Sequence, residues 1–477
     1  MVLSVKICIF AFQNHRYIVM RKILLLLLVT IFSLTACCEK SVKTTTPQAT
    51  SREEVDAYPH IVVSTMGVYN GHLFTAEKPE APKGFEPVFI AGYLRHGSRM
   101  EAHEKYAQDT YNYFKKGDEA GLLTPLGKRV YEFMKWNLAK HENCIGDLTD
   151  VGYQQHKQIA KRLYKEFPEL YKGKSKVVSI GSITPRATLS MVAFNEGLKE
   201  CNTHLDNRMN ASIHTTGIAR PQKAEFNKKF APAEEKEYKN FLNDEVYPKI
   251  CAWGERQNME HCKRALFTDP DKFFALFDQS PFLILTDIYK RLAFAQNFGI
   301  DDRTLIDEVF NADERHIIYK HENCRWYYRC ASAAHPILAN YIAQSRVQVD
   351  YFVEQIEAKL KGESDATTSL CFGHDLNIIP LMTILGVDRL PLSFGKDLES
   401  VDFLAENWRS YKYTPKAANM MFIIYRNKEG KVLVRPRVNE RDVELDMESA
   451  TPHYYDWEAF KKYAYARLDT VDLLKKR

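Results

Sequence analysis

The sequence predicts an α/β fold, a doubly wound and mostly parallel sheet carrying an inserted, smaller helical domain, and three observations predict it. Short apolar runs alternate with helical segments from about residue 87 to 198, and the strand signal returns at 369. Between these stretches, from about 206 to 341, the pattern changes to long helical segments dense in aromatics, such as Phe273-Phe274-Ala275-Leu276-Phe277 and Trp326-Tyr327-Tyr328. Near the end, two β-leaning runs at 420–425 and 432–434 flank Asn427-Lys428-Glu429-Gly430, which reads as a hairpin. With 477 residues, 45% hydrophobic and 27% charged, the chain can hold one large domain with an insertion or two domains, and its composition is that of a globular protein.

The first 37 residues are expected to lie outside that fold. Arg21-Lys22 precedes an apolar run at 23–32 and then Ser33-Leu34-Thr35-Ala36-Cys37, the charged, apolar and small-residue regions of a secretory signal. The apolar run is short for a bilayer span. Leu34-Thr35-Ala36-Cys37 resembles the bacterial lipobox, which implies acylation of Cys37 and an exported lipoprotein, periplasmic or anchored at the outer membrane or cell surface. A plain signal peptide or an uncleaved anchor is the alternative. Met20 is the better start, so residues 1–19 read as a mis-called extension. Residues 38–57, polar and rich in Thr and Ser without periodicity, read as a tether. The α/β domain is then expected over 58–205 and 342–477, with the helical cap over 206–341.

Charge narrows the partners. Residues 1–36 hold Lys6, Arg16, Arg21 and Lys22 and no acid, so their removal takes four positive charges from the net +5 and leaves +1. No basic excess or stripe suits a nucleic-acid partner, and the membrane is expected to be met only through the lipid anchor. Any anion must be held by a local cluster. Beyond Cys37 and Cys38 the mature cysteines are Cys144, Cys201, Cys251, Cys262, Cys324, Cys330 and Cys371, an odd set. Cys251/Cys262 and Cys324/Cys330 are close enough for local disulfides, and unpaired buried thiols fit equally well. No Cys-x-x-Cys or His-Glu-x-x-His pattern predicts a metal site. Oligomeric state leaves no signal.

The chemistry-bearing residues follow predicted strands. The run at 87–94 ends in Arg95-His96-Gly97-Ser98-Arg99. A helical stretch opens at Leu123-Thr124-Pro125, and Leu148-Thr149-Asp150-Val151-Gly152 starts another, with Thr149 or Asp150 as N-cap and Ile159 and Leu163 at helical spacing. The strand at 176–180 leads to Pro185-Arg186 and a helix, and the strand at 369–373 ends in Gly373-His374-Asp375. Ligands of doubly wound sheets sit at the carboxyl ends of strands, so these three loops can converge. An imidazole can attack phosphorus and divide a hydrolysis into two displacements. Guanidinium forks match the charge spread over phosphoryl oxygens. A carboxylic acid can protonate the departing alkoxide and then activate water. His96, the arginines 95, 99 and 186, and Asp375 supply those groups.

Arg95-His96-Gly97-Ser98-Arg99 together with Gly373-His374-Asp375 resembles the second branch of the histidine phosphatases, the histidine acid phosphatases and phytases. The likeness extends to Leu148-Thr149-Asp150-Val151-Gly152-Tyr153, to Thr184-Pro185-Arg186-Ala187-Thr188 and to Ile379-Pro380-Leu381-Met382. Within the branch, Phe372-Gly373-His374 and Ala81-Pro82-Lys83-Gly84-Phe85-Glu86-Pro87 look most similar to multiple inositol polyphosphate phosphatases. The resemblance implies that His96 is the nucleophile, that Arg95, Arg99, Arg186 and His374 hold phosphate, that Asp375 is the proton donor, and that no cofactor is needed because arginines replace a metal. It also implies a small-molecule phosphomonoester substrate, most readily an inositol polyphosphate. Two positions depart from the pattern. Residue 101 is Glu where a proline is common, and His374-Asp375-Leu376 follows the acid phosphatase form rather than His-Ala-Glu. A broad acid or sugar phosphatase is therefore the alternative, and a catalytically silent lipid-anchored binder of phosphorylated ligands is the alternative of a different class.

Overall fold

Alternate residues of the central strands enter different cores, and this fixes the architecture of the computed structural model, which describes residues 49–69, 71, 80–300, 302–395 and 400–476. In β1 (Glu86–Arg95), Phe89, Ala91 and Tyr93 join one apolar cluster while Ile90 and Leu94 join another. The two residue sets of β5 (Asn419–Arg426) divide the same way, Phe422 and Ile424 against Met421 and Ile423. A strand buried on both faces needs a continuous apolar run rather than alternation, which is what these segments have. One face is covered by the helices Asp150–Glu166 and Pro185–Cys201, through Ile159, Leu163, Met191 and Phe194. The other is covered by Arg346–Leu360, Asp375–Ile384 and Trp457–Leu474.

Among the described residues the sheet has eight strands in the order β3-β2-β4-β1-β5-β6-β7, where β7 is Arg441–Asp442, and β8 (Tyr455–Asp456) pairs β6. β3 (Asp206–Ala211), β2 (Lys176–Gly181), β4 (Ala366–Gly373) and β1 run parallel. The expected late hairpin, β5 with β6 (Val432–Val438), adds the antiparallel half, so the sheet is mixed. Register places Arg95 opposite Gly373 and Gly181 opposite Phe372. β1, β4 and β2 therefore end level, and the three loops that follow open on one edge of the sheet.

The expected boundaries shift in three places. β3 begins at 206, where the helical insertion was expected, so the sheet continues to 211. The tether expected to reach 57 instead ends in the helix Ser51–Ala57, closed by a reciprocal capping box between Thr50 and Glu53 and anchored by buried Val55. A third core joins Val55, Ile61 and Val62 and the helices Glu104–Glu119 and Pro125–Lys140 to Phe267, Ile284 and Ile318, so the helical layer draws on residues outside 206–341. Thr50–Arg477 forms one compact unit. The signal and the acylation expected at Cys37 lie outside the described residues, among which no helix is long and apolar enough to cross a membrane.

All seven described cysteines are free thiols. Cys324 and Cys330 share one helix, Ala312–Cys330. A spacing of six residues there separates Cα atoms by roughly 9 Å on different faces, beyond disulfide reach.

Candidate active site

The position of His96, the expected nucleophile, is built from backbone outward. The His96 N–H donates to Gly373 O at 2.9 Å and its carbonyl accepts from Ala417 N–H at 3.0 Å, so the residue is pinned by the ends of two neighbouring strands. Its ring is 2% exposed. Nδ1 lies 2.9 Å from Gly97 O, and a carbonyl can only accept, so Nδ1 carries the proton and Nε2 keeps its lone pair. Burial, with the charges of Arg186, Arg95 and Lys416, holds the imidazole well below its ordinary pKa and so neutral.

Glycines set the close approaches. A Cβ on Gly152 would stand 2.1 Å from Ser98 O, and one on Gly97 would stand 2.4 Å from Gly152 O, so the loop after β1 and the helix at 150 touch backbone to backbone. The helix then holds the loop: Thr149 Oγ1 caps it, Thr149 N–H donates to Ser98 O at 3.0 Å, and Ser98 N–H donates to Gln155 Oε1 at 2.9 Å. Gly97 N–H donates to Ser190 Oγ at 3.1 Å. The space beyond the Gly97 Cα is filled by Gly152. At β4, a Cβ on Gly373 would stand 1.9 Å from Tyr93 Oη. That hydroxyl accepts the His374 N–H at 3.0 Å and donates to Ala219 O at 2.6 Å, which positions His374. The rings of His96 and His374 meet edge to face with centroids 5.4 Å apart.

The charges around these rings do not cancel. Arg95, 0% exposed, donates from Nη1 to Thr65 O and Thr414 O, both at 2.7 Å, and from Nη2 to Asp375 Oδ2 at 2.6 Å. Burial pushes both Arg95 and Arg186 down to about 10, which leaves them cationic at neutral pH. The Nε atoms of Arg95, Arg99 and Arg186 are all buried with no hydrogen-bond partner among the described residues. Burial would raise the Asp375 carboxyl, but Arg95, Lys416, Arg99 and Arg329 outweigh it and hold the group well below the usual carboxylate range. Asp375 is the first residue of its helix and His374 the N-cap, so the helix N-terminus favours the same anion. Every site residue expected from sequence, His96, Arg95, Arg99, Arg186, His374 and Asp375, lines one cleft of about 500 Å³.

Sequence reasoning missed the rest of the lining. Lys416, before β5, reaches the cleft. The chain between β3 and β4 adds Arg220, Lys223, Lys290, Arg291, Arg325 and Arg329 to the same lining. Arg325 and Arg329, four apart on one helix and interleaved with Trp326, were the signal available in the sequence. Glu101 ion-pairs with Arg291 while both are buried, so the residue that departs from the proline pattern ties the nucleophile loop to the helical wall. His103 also lines the cleft, whereas Lys105 pairs with Asp109 in solvent.

No curated protein matches the sequence closely enough to count as a relative. Among solved structures, the multiple inositol polyphosphate phosphatase of Bifidobacterium longum in complex with phosphate superposes with a TM-score of 0.68 at 18% identity, covering 85% of this chain and 97% of that one. The same enzyme with inositol hexasulfate gives 0.65 at 18%, covering 83% and 95%. The phytase from D. castellii gives 0.63 at 13%, covering 89% of each. At such identity the likeness is one of fold. The family model described as histidine phosphatase superfamily (branch 2) spans residues 93–439, from the strand that delivers His96 to the end of the hairpin, and the chain belongs to that family.

Proposed function

We propose that this phosphatase hydrolyses phosphomonoesters through a phosphohistidine on His96 and that its preferred substrates are inositol polyphosphates. The observation that carries the chemistry is the set of three buried, unpartnered arginine Nε–H groups around a neutral imidazole, an arrangement that a phosphate dianion completes. Nε2 of His96 attacks phosphorus as the ester P–O bond breaks, and the alkoxide takes a proton from Asp375. Water then attacks the phosphohistidine while Asp375 accepts its proton, and the P–N bond breaks to release phosphate. The arginines hold Asp375 ionised in the free protein, so the substrate's own negative charge must raise its affinity for the proton it donates.

Specificity for several phosphates is supported by the cleft's charge. Ten lysines and arginines line it against four carboxylates, more than one phosphate needs. Phosphate release from inositol hexakisphosphate and from glucose 1-phosphate, with chelator present, tests the reading. The expected kcat/KM for the inositol ester is at least about tenfold the higher, with an advantage that shrinks as salt rises. Equal values would favour a broad acid phosphatase, the reading that His374-Asp375-Leu376 supports. Location belongs to the same proposal: an exported lipoprotein acylated at Cys37, supported by the lipobox-like sequence. Incorporation of labelled palmitate should vanish in Cys37→Ser; label retained in that variant would overturn the anchor.

A further inference from the structure

We propose that Lys416 is a fourth cation of the phosphate cradle, its ammonium binding an oxygen of the phosphoryl group as that group passes to and from His96. The proposal rests on the reading of the cleft as a phosphomonoester site. Lys416 is 0% exposed, yet it lines the cleft with His96, Arg99 and Asp375. Its Nζ has no hydrogen-bond partner among the described residues, although an ammonium carries three donors and is unfavourable to bury unpaired. The two carboxylates whose charge reaches it are already engaged, Asp375 by Arg95 and Glu101 by Arg291. The group that would satisfy it is therefore an anion from outside the protein.

The loop that delivers the lysine is stitched to the nucleophile. Lys416 N–H donates to Gly67 O at 2.8 Å, Ala417 N–H donates to His96 O at 3.0 Å, and Thr414 O accepts from Arg95 at 2.7 Å. Ala417 holds φ at 57°, the left-handed region that a residue with a Cβ enters only under constraint. The need for another cation follows from Arg95, which gives three of its five N–H donors to Thr65 O, Thr414 O and Asp375 and so has only part of its fork left for substrate.

The groups facing Lys416 are Arg95, His96, Arg99 and Glu101 from β1 and the loop after it, and Asp375 from the helix after β4. Burial, Arg99 and Arg95 lower its proton affinity well below that of an ordinary lysine, opposed by Asp375 and Glu101. A phosphate dianion beside it reverses that balance, so proton uptake should accompany phosphate binding.

Calorimetric titration of the whole protein with inorganic phosphate, in two buffers of different ionisation enthalpy, tests this on the wild type, Lys416→Met, Lys416→Arg and His96→Ala. Lys416→Met should bind phosphate about ten- to a hundredfold more weakly, the loss of one charged hydrogen bond, and take up fewer protons. Lys416→Arg should recover most of the affinity. Without phosphate the Met variant should melt at or above the wild-type temperature, because a buried polar nitrogen without a partner is gone. Wild-type affinity and proton uptake in Lys416→Met, with phosphate bound by the wild type and His96→Ala, would overturn the role of the lysine alone. Phosphate bound by none of the proteins would overturn the site reading with it. Should the Met variant not fold, a crystal structure of the wild type with tungstate decides: Nζ within about 3 Å of a tungstate oxygen supports the proposal, and Nζ turned away overturns it.

Discussion

His96→Ala is expected to lower turnover by about four orders of magnitude or more, because no other group can accept the phosphoryl from the same position. Binding of inorganic phosphate should survive, since the arginines remain, and a loss of both would mean that the ring holds the cleft together rather than attacking. The wild-type pH profile carries the same signature. Burial and the neighbouring cations keep the imidazole neutral below its ordinary pKa of about 6.5, so the nucleophile stays competent as pH falls and the acid limb of kcat/KM lies below that value. The same shift has a stability cost. The unfolded chain binds a proton there that the folded chain does not, so stability falls as pH drops below about 6.5 and His96→Ala should lose less of it over that range.

Asp375→Asn should reduce kcat for inositol hexakisphosphate by about two to four orders of magnitude, the usual worth of a placed acid and base. The loss should be much smaller for the first step with p-nitrophenyl phosphate, whose leaving group departs without a proton. Phosphate affinity should hold or rise, since a negative charge beside the cradle is removed. That split distinguishes proton transfer from structure: a variant that is damaged loses affinity and both substrates together. The pH window follows from the depressed carboxyl. Its ion pair with Arg95 stabilises the fold above the unfolded value near 3.9 and is lost only as pH falls through the lower folded value, so the pair persists through the mildly acid range in which an acid-competent nucleophile works.

What could be read from the sequence divides by physical cause. β1, β2 and β4 announce themselves because strands buried on both faces carry short apolar runs, and the ionisable residues that follow them stand out against that background. β3 is an edge strand with exposed Met209 and Asn210 and no apolar run, and only its pairing with β2 identifies it. The helix at 51–57 did carry a signal, Thr50-x-x-Glu53, hidden within a polar stretch. In the site, residues next to strand ends were legible and Lys416 was not, since its burial comes from the path of the loop before β5. The cationic wall was dispersed from Arg220 to Arg329, and only folding brings it opposite His96.

The most direct test of the central claim is to quench turnover of a radiolabelled ester in alkali and locate the label. The account predicts a phosphate that is stable to base, labile to acid and attached to the peptide bearing His96, and that accumulates in Asp375→Asn, where dephosphorylation lacks its base. Label on another residue, or turnover that passes with inversion at phosphorus and no covalent phosphate, would contradict it.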